Sequence, residues 1–299
     1  TIKGLAKATQ YTVRLEDSEG FISTLVSFTT EDERAVPNGD FETLTQTISV
    51  SDMNQGAQYN IWPANYQNKE TFVISEPTGW GSINSITCNK NASNLNSWFV
   101  VPSTYNTNLS WSAYRDFGRT TETPSVYSGL KAQSGSNAMV VRNVGWDANG
   151  TSPSNSGGAF NTTYYCENIP TVANASAGQL YLETSFGVRP ITLTGYYKYK
   201  LCDAKLDETE KAKVTVTVYD SSNAVVGVGS VELGAQANYT QFNVPVTYSV
   251  LKKANKIKIM ITSSNRAEGS VKVSDHLGER EASKYGAILT VDNLTFSYK

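Results

Sequence analysis

A single histidine, His276, limits the chemistry open to this chain of 299 residues. Three-histidine zinc sites and His-Glu-x-x-His motifs are excluded, because each needs more than one imidazole. Ser-His-Asp or Cys-His catalysis would have to use His276, and no Gly-x-Ser-x-Gly elbow accompanies it. In the run Asp275-His276-Leu277-Gly278 this residue reads as part of a surface loop. No Gly-Lys-Ser/Thr phosphate loop occurs. The nearest dinucleotide fingerprint, Gly227-Val228-Gly229, has Glu232 where the third glycine belongs. Cys88, Cys166 and Cys202 show no metal-ligand spacing, allow at most one disulfide, and read as small buried hydrophobes. Lys plus Arg is 25 against 27 for Asp plus Glu, a net charge of −2, so no basic field for nucleic acid or an anionic membrane is present. No apolar run approaches the ~18 residues of a spanning helix.

Aromatic rings set among amides are what the chain has instead. A pyranose offers a face of C–H groups that lies flat on indole or phenol rings, and a rim of hydroxyls that calls for Asn, Gln, Asp and Arg. Trp62, Trp80, Trp98, Trp111 and Trp146 fall with Tyr66, Tyr105, Tyr114 and Tyr127 in the polar stretch from 43 to about 175. Trp80, in Thr78-Gly79-Trp80-Gly81, and Trp98, in the apolar run Trp98-Phe99-Val100-Val101, read as core plugs. Trp62, Trp111 and Trp146, joined by Tyr66 and Tyr105, are the candidate sugar platforms. Arg119 and Arg142 are candidate forks onto vicinal hydroxyls, since a guanidinium presents several donors in fixed geometry. The partner class these residues imply is a glycan. A glycoside hydrolase is the alternative; it needs two carboxyls about 5–5.5 Å apart for retention or about 6.5–9.5 Å for inversion. Asp116, Glu122 and Asp147 lie among the aromatics, but no spacing singles out a pair. A structural or adhesive segment with buried tryptophans is a third reading.

The elements that must carry these loops are strands. Ile191, Leu193, Tyr197 and Tyr199 alternate with Thr192, Thr194, Lys198 and Lys200. Val214, Val216 and Val218 alternate next, the turn Asp220-Ser221-Ser222-Asn223 follows, and Phe242, Val244 and Val246 and then Ile257, Ile259 and Ile261 repeat the period. Short antiparallel strands at this spacing predict an all-β sandwich or jelly roll. The break Glu31-Asp32-Glu33-Arg34 with Pro37 places a boundary near residue 35, dividing the chain into 1–35 and 36–299. In the closing strand Leu289 and Val291 fall on odd positions, whereas Leu294, Phe296 and Tyr298 fall on even ones. One face cannot hold both sets unless an extra residue is inserted, so a β-bulge is expected at Asp292-Asn293.

Three resemblances attach to these residues. Residues 1–35, with alternation from Leu5 to Leu15, the turn Asp17 to Gly20 and a second strand Phe21 to Thr30, resemble the last two strands of a fibronectin III or immunoglobulin-like domain, with Tyr11 at the tyrosine corner. The opening Asn38-Gly39-Asp40-Phe41-Glu42 and the closing Leu289 to Leu294 with Phe296 resemble jelly-roll carbohydrate-binding modules. In those, first and last strands are neighbours and commonly hold a structural calcium. The resemblance thus implies a cation on Asp40, Glu42 and Asp292, with loop carbonyls completing six to eight oxygens. The run Arg189-Pro190-Ile191-Thr192-Leu193-Thr194-Gly195-Tyr196-Tyr197-Lys198-Tyr199-Lys200 looks like the hallmark of the family known as the putative carbohydrate metabolism domain, found in Bacteroides-type surface lipoproteins. It implies a jelly-roll β-sandwich behind a partial immunoglobulin-like hairpin, on an exported, surface-located and lipid-anchored protein. The family's name leaves room for a glycoside hydrolase; the reading adopted from the residues is a monomer that binds glycans without chemistry of its own.

Overall fold

The computed structural model describes residues 2–50, 72–84, 104–106, 131–145, 175–201, 208–266, 273–274 and 284–298. Every regular element among them is a strand. A hairpin comes first, β1 (Gln10–Val13) and β2 (Val26–Thr29). It is followed by β3 (Leu44–Val50), β4 (Phe72–Pro77), β5 (Trp80–Ser82), β6 (Thr104–Asn106), β7 (Met139–Gly145) and β8 (Ala175–Ser176). Then come β9 (Gln179–Ser185), β10 (Thr192–Lys200), β11 (Ala212–Tyr219), β12 (Val225–Leu233) and β13 (Gln236–Pro245). The last are β14 (Thr247–Tyr248), β15 (Lys256–Thr262), β16 (Val273–Ser274) and β17 (Lys284–Ser297).

Two antiparallel sheets enclose one core. One runs β13-β10-β17-β7-β6, with β16 on β17 and β8 on β7; the other runs β14-β12-β11-β15-β9-β5. The chain leaves the first sheet after β10, makes the β11–β12 hairpin in the second and returns for β13, and it crosses again for β15 and β17. That repeated crossing between two antiparallel sheets is the jelly-roll pattern. The alternations read from the sequence set the inward faces: Leu193, Tyr197 and Tyr199 on β10, Val214, Val216 and Val218 on β11, and Ile257, Ile259 and Ile261 on β15 are all buried. They share one cluster with Phe242, Val244, Leu289 and Val291. Gly195 is required by this packing, since a Cβ there would meet the Phe242 ring and Leu294.

The turn after β11 is held by its own aspartate. Asp220 Oδ1 accepts the Ser222 hydroxyl and amide and the Ala224 amide, while Lys252 Nζ lies 3.1 Å from Oδ2. Asn223 takes the left-handed backbone that closes the turn, with φ 62°. These donors, the Ser222 hydroxyl foremost, hold the Asp220 carboxyl well below the usual carboxylate range. Its contribution to stability is present above the ordinary carboxylate pKa and is lost as pH falls through the depressed folded value. Asp220→Asn should therefore flatten the acid limb of the stability profile, read as melting temperature against pH. An unchanged slope would show that the group does not drive that limb.

The β1–β2 pair forms a sheet of its own. Tyr11 Oη accepts the Ala6 amide at 2.7 Å, the upstream backbone contact that a tyrosine corner makes, and its ring stacks on Phe28. Beyond the hairpin, Glu31 clamps Arg189 through both its amide and its Nε, and Tyr298 Oη donates to the Arg34 carbonyl. Arg189 thus fixes the approach to Pro190.

Candidate functional site

The start and end of residues 36–299 meet, and they meet around a third segment. Leu294 N donates to the Gly39 carbonyl at 2.8 Å, which joins the opening turn to β17. In β17, Thr295 pairs with Thr194 and Asp292 with Tyr196, so two residues, Asn293 and Leu294, stand opposite Gly195. This is the expected bulge. Asn293 adopts φ 52°, a left-handed conformation that asparagine tolerates better than branched residues. Past the bulge Leu294 returns to the core at 3% exposure, so the phase of the apolar positions is restored.

The bulge frees Asp292 for long-range work. Its Oδ2 accepts the amides of Gln133 (2.8 Å) and Ser134 (3.3 Å), and Oδ1 accepts the Asn293 amide. Glu42 grips the same segment further along: Oε1 accepts the amides of Ser136 (2.8 Å) and Asn137 (3.0 Å), and Oε2 accepts Asn137 Nδ2. Between them Gly135 has φ 68°, and a Cβ there would overlap the Glu42 carboxylate, so the tight approach requires glycine. Asn293 Nδ2 adds bonds to Gln133 Oε1 and Ser134 Oγ. Burial raises the Asp292 carboxyl above its ordinary value against the pull of three backbone donors, and the Glu42 charge raises it further. The two carboxylates therefore lie within electrostatic reach of each other. Asp40, the third expected ligand, is exposed and accepts the Glu42 amide at 3.4 Å. Among the described residues no group of three His, Cys, Asp or Glu side chains is arranged to hold a metal.

This anchored segment borders the outer face of the first sheet. Side chains alternate along a strand, so with Leu193, Gly195, Tyr197 and Tyr199 inward, Thr194, Tyr196, Lys198 and Lys200 lie on the far face of β10. Gln241 stands opposite Tyr196 on β13, and on β17 Thr290 stands opposite Lys198 and Ile288 opposite Lys200. One step further, on β7, Val140 faces Thr290 and Arg142 faces Ile288. The face divides in two. Ile288, Thr290, Val140 and Arg142 are buried, whereas Tyr196, Lys198 and Tyr239 are half-buried and Lys200 and Gln241 are exposed. Lys198 Nζ sits 4.4 Å from the centroid of the Tyr239 ring, a cation–π distance. Tyr239 Oη donates to the Lys131 carbonyl at 2.6 Å, tying the face to the segment that Asp292 and Glu42 hold. Burial pushes the Tyr239 hydroxyl up, with the Asp292 charge acting the same way, so it remains a neutral donor. The open half thus offers phenol rings, an amide and ammonium groups side by side, a set that can stack on a pyranose and hydrogen-bond its rim.

Of the candidates read from the sequence, Trp62, Tyr66, Trp111, Arg119 and Trp146 lie outside the described residues, as do Trp98, the three cysteines and His276. Tyr105 stands in β6 opposite Val140. Arg142 differs from the ligand-reaching fork expected of it: it is fully buried, because its strand lies between β17 and β6 and its face is covered there. Trp80 is the expected core plug, at 6% exposure, edge-on to Phe41 at 5.3 Å and donating Nε1 to the Pro37 carbonyl at 3.0 Å. Tyr196, Tyr239 and Gln241, which the fold gathers on this open half-face, were not among the candidates read from the sequence. The available signal was a tyrosine at a far-face position of β10, among threonine and lysines.

No family model matches the chain, and no curated protein matches it. Among solved structures it is similar to a "putative glycoside hydrolase" from Bacteroides thetaiotaomicron, at 15% identity and a TM-score of 0.40, over 97% of this chain and 79% of that one. A second "putative glycoside hydrolase", from Bacteroides vulgatus, is similar at 12% identity and a TM-score of 0.37, over 86% of this chain and 98% of that one. A family 61 carbohydrate-binding module in complex with β-1,4-galactotriose is similar at 8% identity and a TM-score of 0.30, over 74% and 90%. The functional reading rests on this chain's own residues.

Proposed function

We propose that residues 36–299 form a glycan-binding module without chemistry of its own, and that the open half of the first sheet's outer face contributes to the binding surface. The observation that carries this reading is the placement of Tyr196 and Tyr239 beside Gln241 and Lys198 on one half-open sheet face, backed by a segment that two carboxylates immobilise. A rigid sandwich bearing such a surface pre-organises the contacts, which lowers the entropic cost of binding. The aromatic candidates Trp62, Trp111, Trp146, Tyr66 and Tyr105 belong to the same proposal, as platforms that would extend the surface. Hydrolysis by Asp116, Glu122 or Asp147 is the reading it competes with. A glycan array on the purified chain, followed by reducing-end release from each hit, tests both: binding without release is expected, and release from a bound glycan would make the protein a hydrolase.

Calcium is part of this proposal as a structural ion. Glu42 and Asp292 supply the hard carboxylate oxygens such an ion needs, and carbonyls or water would make up the remaining ligands. A chelator should then lower the melting temperature, since an ion bound only to the folded state stabilises it. A melting temperature unmoved by chelator and by added calcium would leave the amide bonds of residues 133–137 as the whole of the junction. Residues 1–35 are proposed as the end of an immunoglobulin-like unit. The corner contact of Tyr11 supports this, as do the apolar side chains the hairpin leaves exposed, Leu15 (74%), Phe21 (72%) and Leu25 (69%) among them. The protein is proposed to be a monomer at the surface of an exporting cell, held there by a lipid anchor. No helix among the described residues is long and apolar enough to cross a membrane.

A further inference from the structure

The lysines of the two outer faces are treated differently. On the second sheet Lys256 and Lys258 both reach Glu183, at 2.8 and 3.7 Å, and at its edge Lys211, just before β11, lies 3.6 Å from Glu232; Lys213 alone of that group has no ion pair among the described residues. Near that sheet's turn, Lys252 is paired with Asp220. On the first sheet Lys198 and Lys200 have no carboxylate partner among the described residues. The one acid on their face among the described residues, Asp292, is engaged by the amides of Gln133, Ser134 and Asn293. Lys198 is instead laid over the Tyr239 ring, so its ammonium is held on the face without its charge being neutralised.

These two cations follow Tyr196 at every second residue of β10. With a strand rise of about 3.3 Å, Lys198 stands about 7 Å from Tyr196 and Lys200 about as far again. A sugar ring stacked on Tyr196 would carry an exocyclic acidic group into the reach of Lys198, and the next residue of a chain running along β10 would present its own to Lys200. The ammoniums would then make charge-assisted hydrogen bonds on a partly desolvated sheet face, where such bonds are stronger than in open water. We infer that this face selects anionic glycans, chains whose residues carry a carboxylate or a sulfate, over neutral ones, with Lys198 and Lys200 as the determinants of that selectivity and Tyr196 as the stacking platform. The inference rests on the glycan-binding reading given above and narrows its ligand class.

Binding of the purified chain to polygalacturonate, to the same polymer with its carboxyls reduced, to dextran sulfate and to dextran would test it, by affinity electrophoresis or calorimetry across rising sodium chloride. One acidic polymer should bind, its neutral counterpart about tenfold or more weakly, and salt should erode the difference. Whether polygalacturonate or dextran sulfate binds identifies the acidic group as uronate or sulfate. The double variant Lys198→Gln/Lys200→Gln should lose about tenfold in affinity for the acidic polymer with an unchanged melting temperature. Lys213→Gln, on the second sheet, should lose nothing, and Tyr196→Ala should weaken binding. Equal binding of acidic and neutral polymers, weakened by Tyr196→Ala but not by the lysine variants, would overturn the anionic selectivity and leave glycan binding intact. Binding of neither polymer class would overturn both readings. So would acidic binding that falls equally in Lys213→Gln and ignores Tyr196→Ala, because that is ion exchange by the whole surface.

Discussion

Asp292→Ala should cost this protein roughly 3 kcal/mol of stability, although the residue is not one of the apolar core side chains. The change orphans three backbone donors at once, the amides of Gln133, Ser134 and Asn293. A buried donor left unsatisfied costs about 1–3 kcal/mol, and some of that returns as water enters the space left behind. For a domain of this size such a loss lowers the melting temperature by about 6–12 °C. Asp292→Asn is not a rescue. Both carboxylate oxygens accept amides, so an Asn side chain must turn its own NH2 toward N–H donors on one side. The pH dependence has a definite sign. Because the Asp292 pKa is raised in the folded state, the ionisable contribution is present below the ordinary carboxylate value and is lost as pH rises through the raised one. The stability gap between wild type and Asp292→Ala should therefore narrow with rising pH across that window. Denaturant unfolding at several pH values would measure it. Where the expected loss occurs, the loosened segment should also release the Lys131 carbonyl from Tyr239 and so disturb the proposed binding face; a variant as stable as wild type would mean that the 133–137 segment holds without its latch.

Trp80→Ala should be costlier still, and should leave glycan binding where it was. Truncating a buried tryptophan removes its burial free energy and leaves a cavity, typically about 3–5 kcal/mol together. Here the edge contact with Phe41 and the bond to the Pro37 carbonyl also go, and both hold the opening turn that reaches β17 through Gly39 and Leu294. Unfolding in denaturant and affinity for an array hit, measured on the same preparation, separate the two roles a tryptophan can have. A variant that keeps its stability and loses its ligand would make Trp80 a sugar platform and not a core residue.

The periodicities of this sequence were enough to assign most of the sandwich. A side chain's face in a strand depends only on its parity, so Leu193, Tyr197 and Tyr199, the valines of β11 and the isoleucines of β15 could be placed inward before any partner strand was known. The same rule applied to a fault in the parity located the bulge at Asp292-Asn293, and the matched ends of the chain brought Glu42 and Asp292 to one place. Parity does not say what lies beyond the face it names. Gln133 and Asp292 are 159 positions apart, and nothing local in either marks the other as its partner. Their meeting depends on β17 running beside both β10 and β7. Arg142 reads as a candidate fork onto sugar hydroxyls, and only its place between β17 and β6, on a face covered at that point, buries it. Tyr196 and Lys198 read as the wet side of β10; it took strand order to set Gln241 and Tyr239 beside them, and the pairing of Lys256 and Lys258 with Glu183 on the other sheet to set Lys198 and Lys200 apart. Local alternation decides which way each residue points, whereas strand order decides what it meets, because contacts across a sheet join segments whose separation along the chain carries no signal of their adjacency.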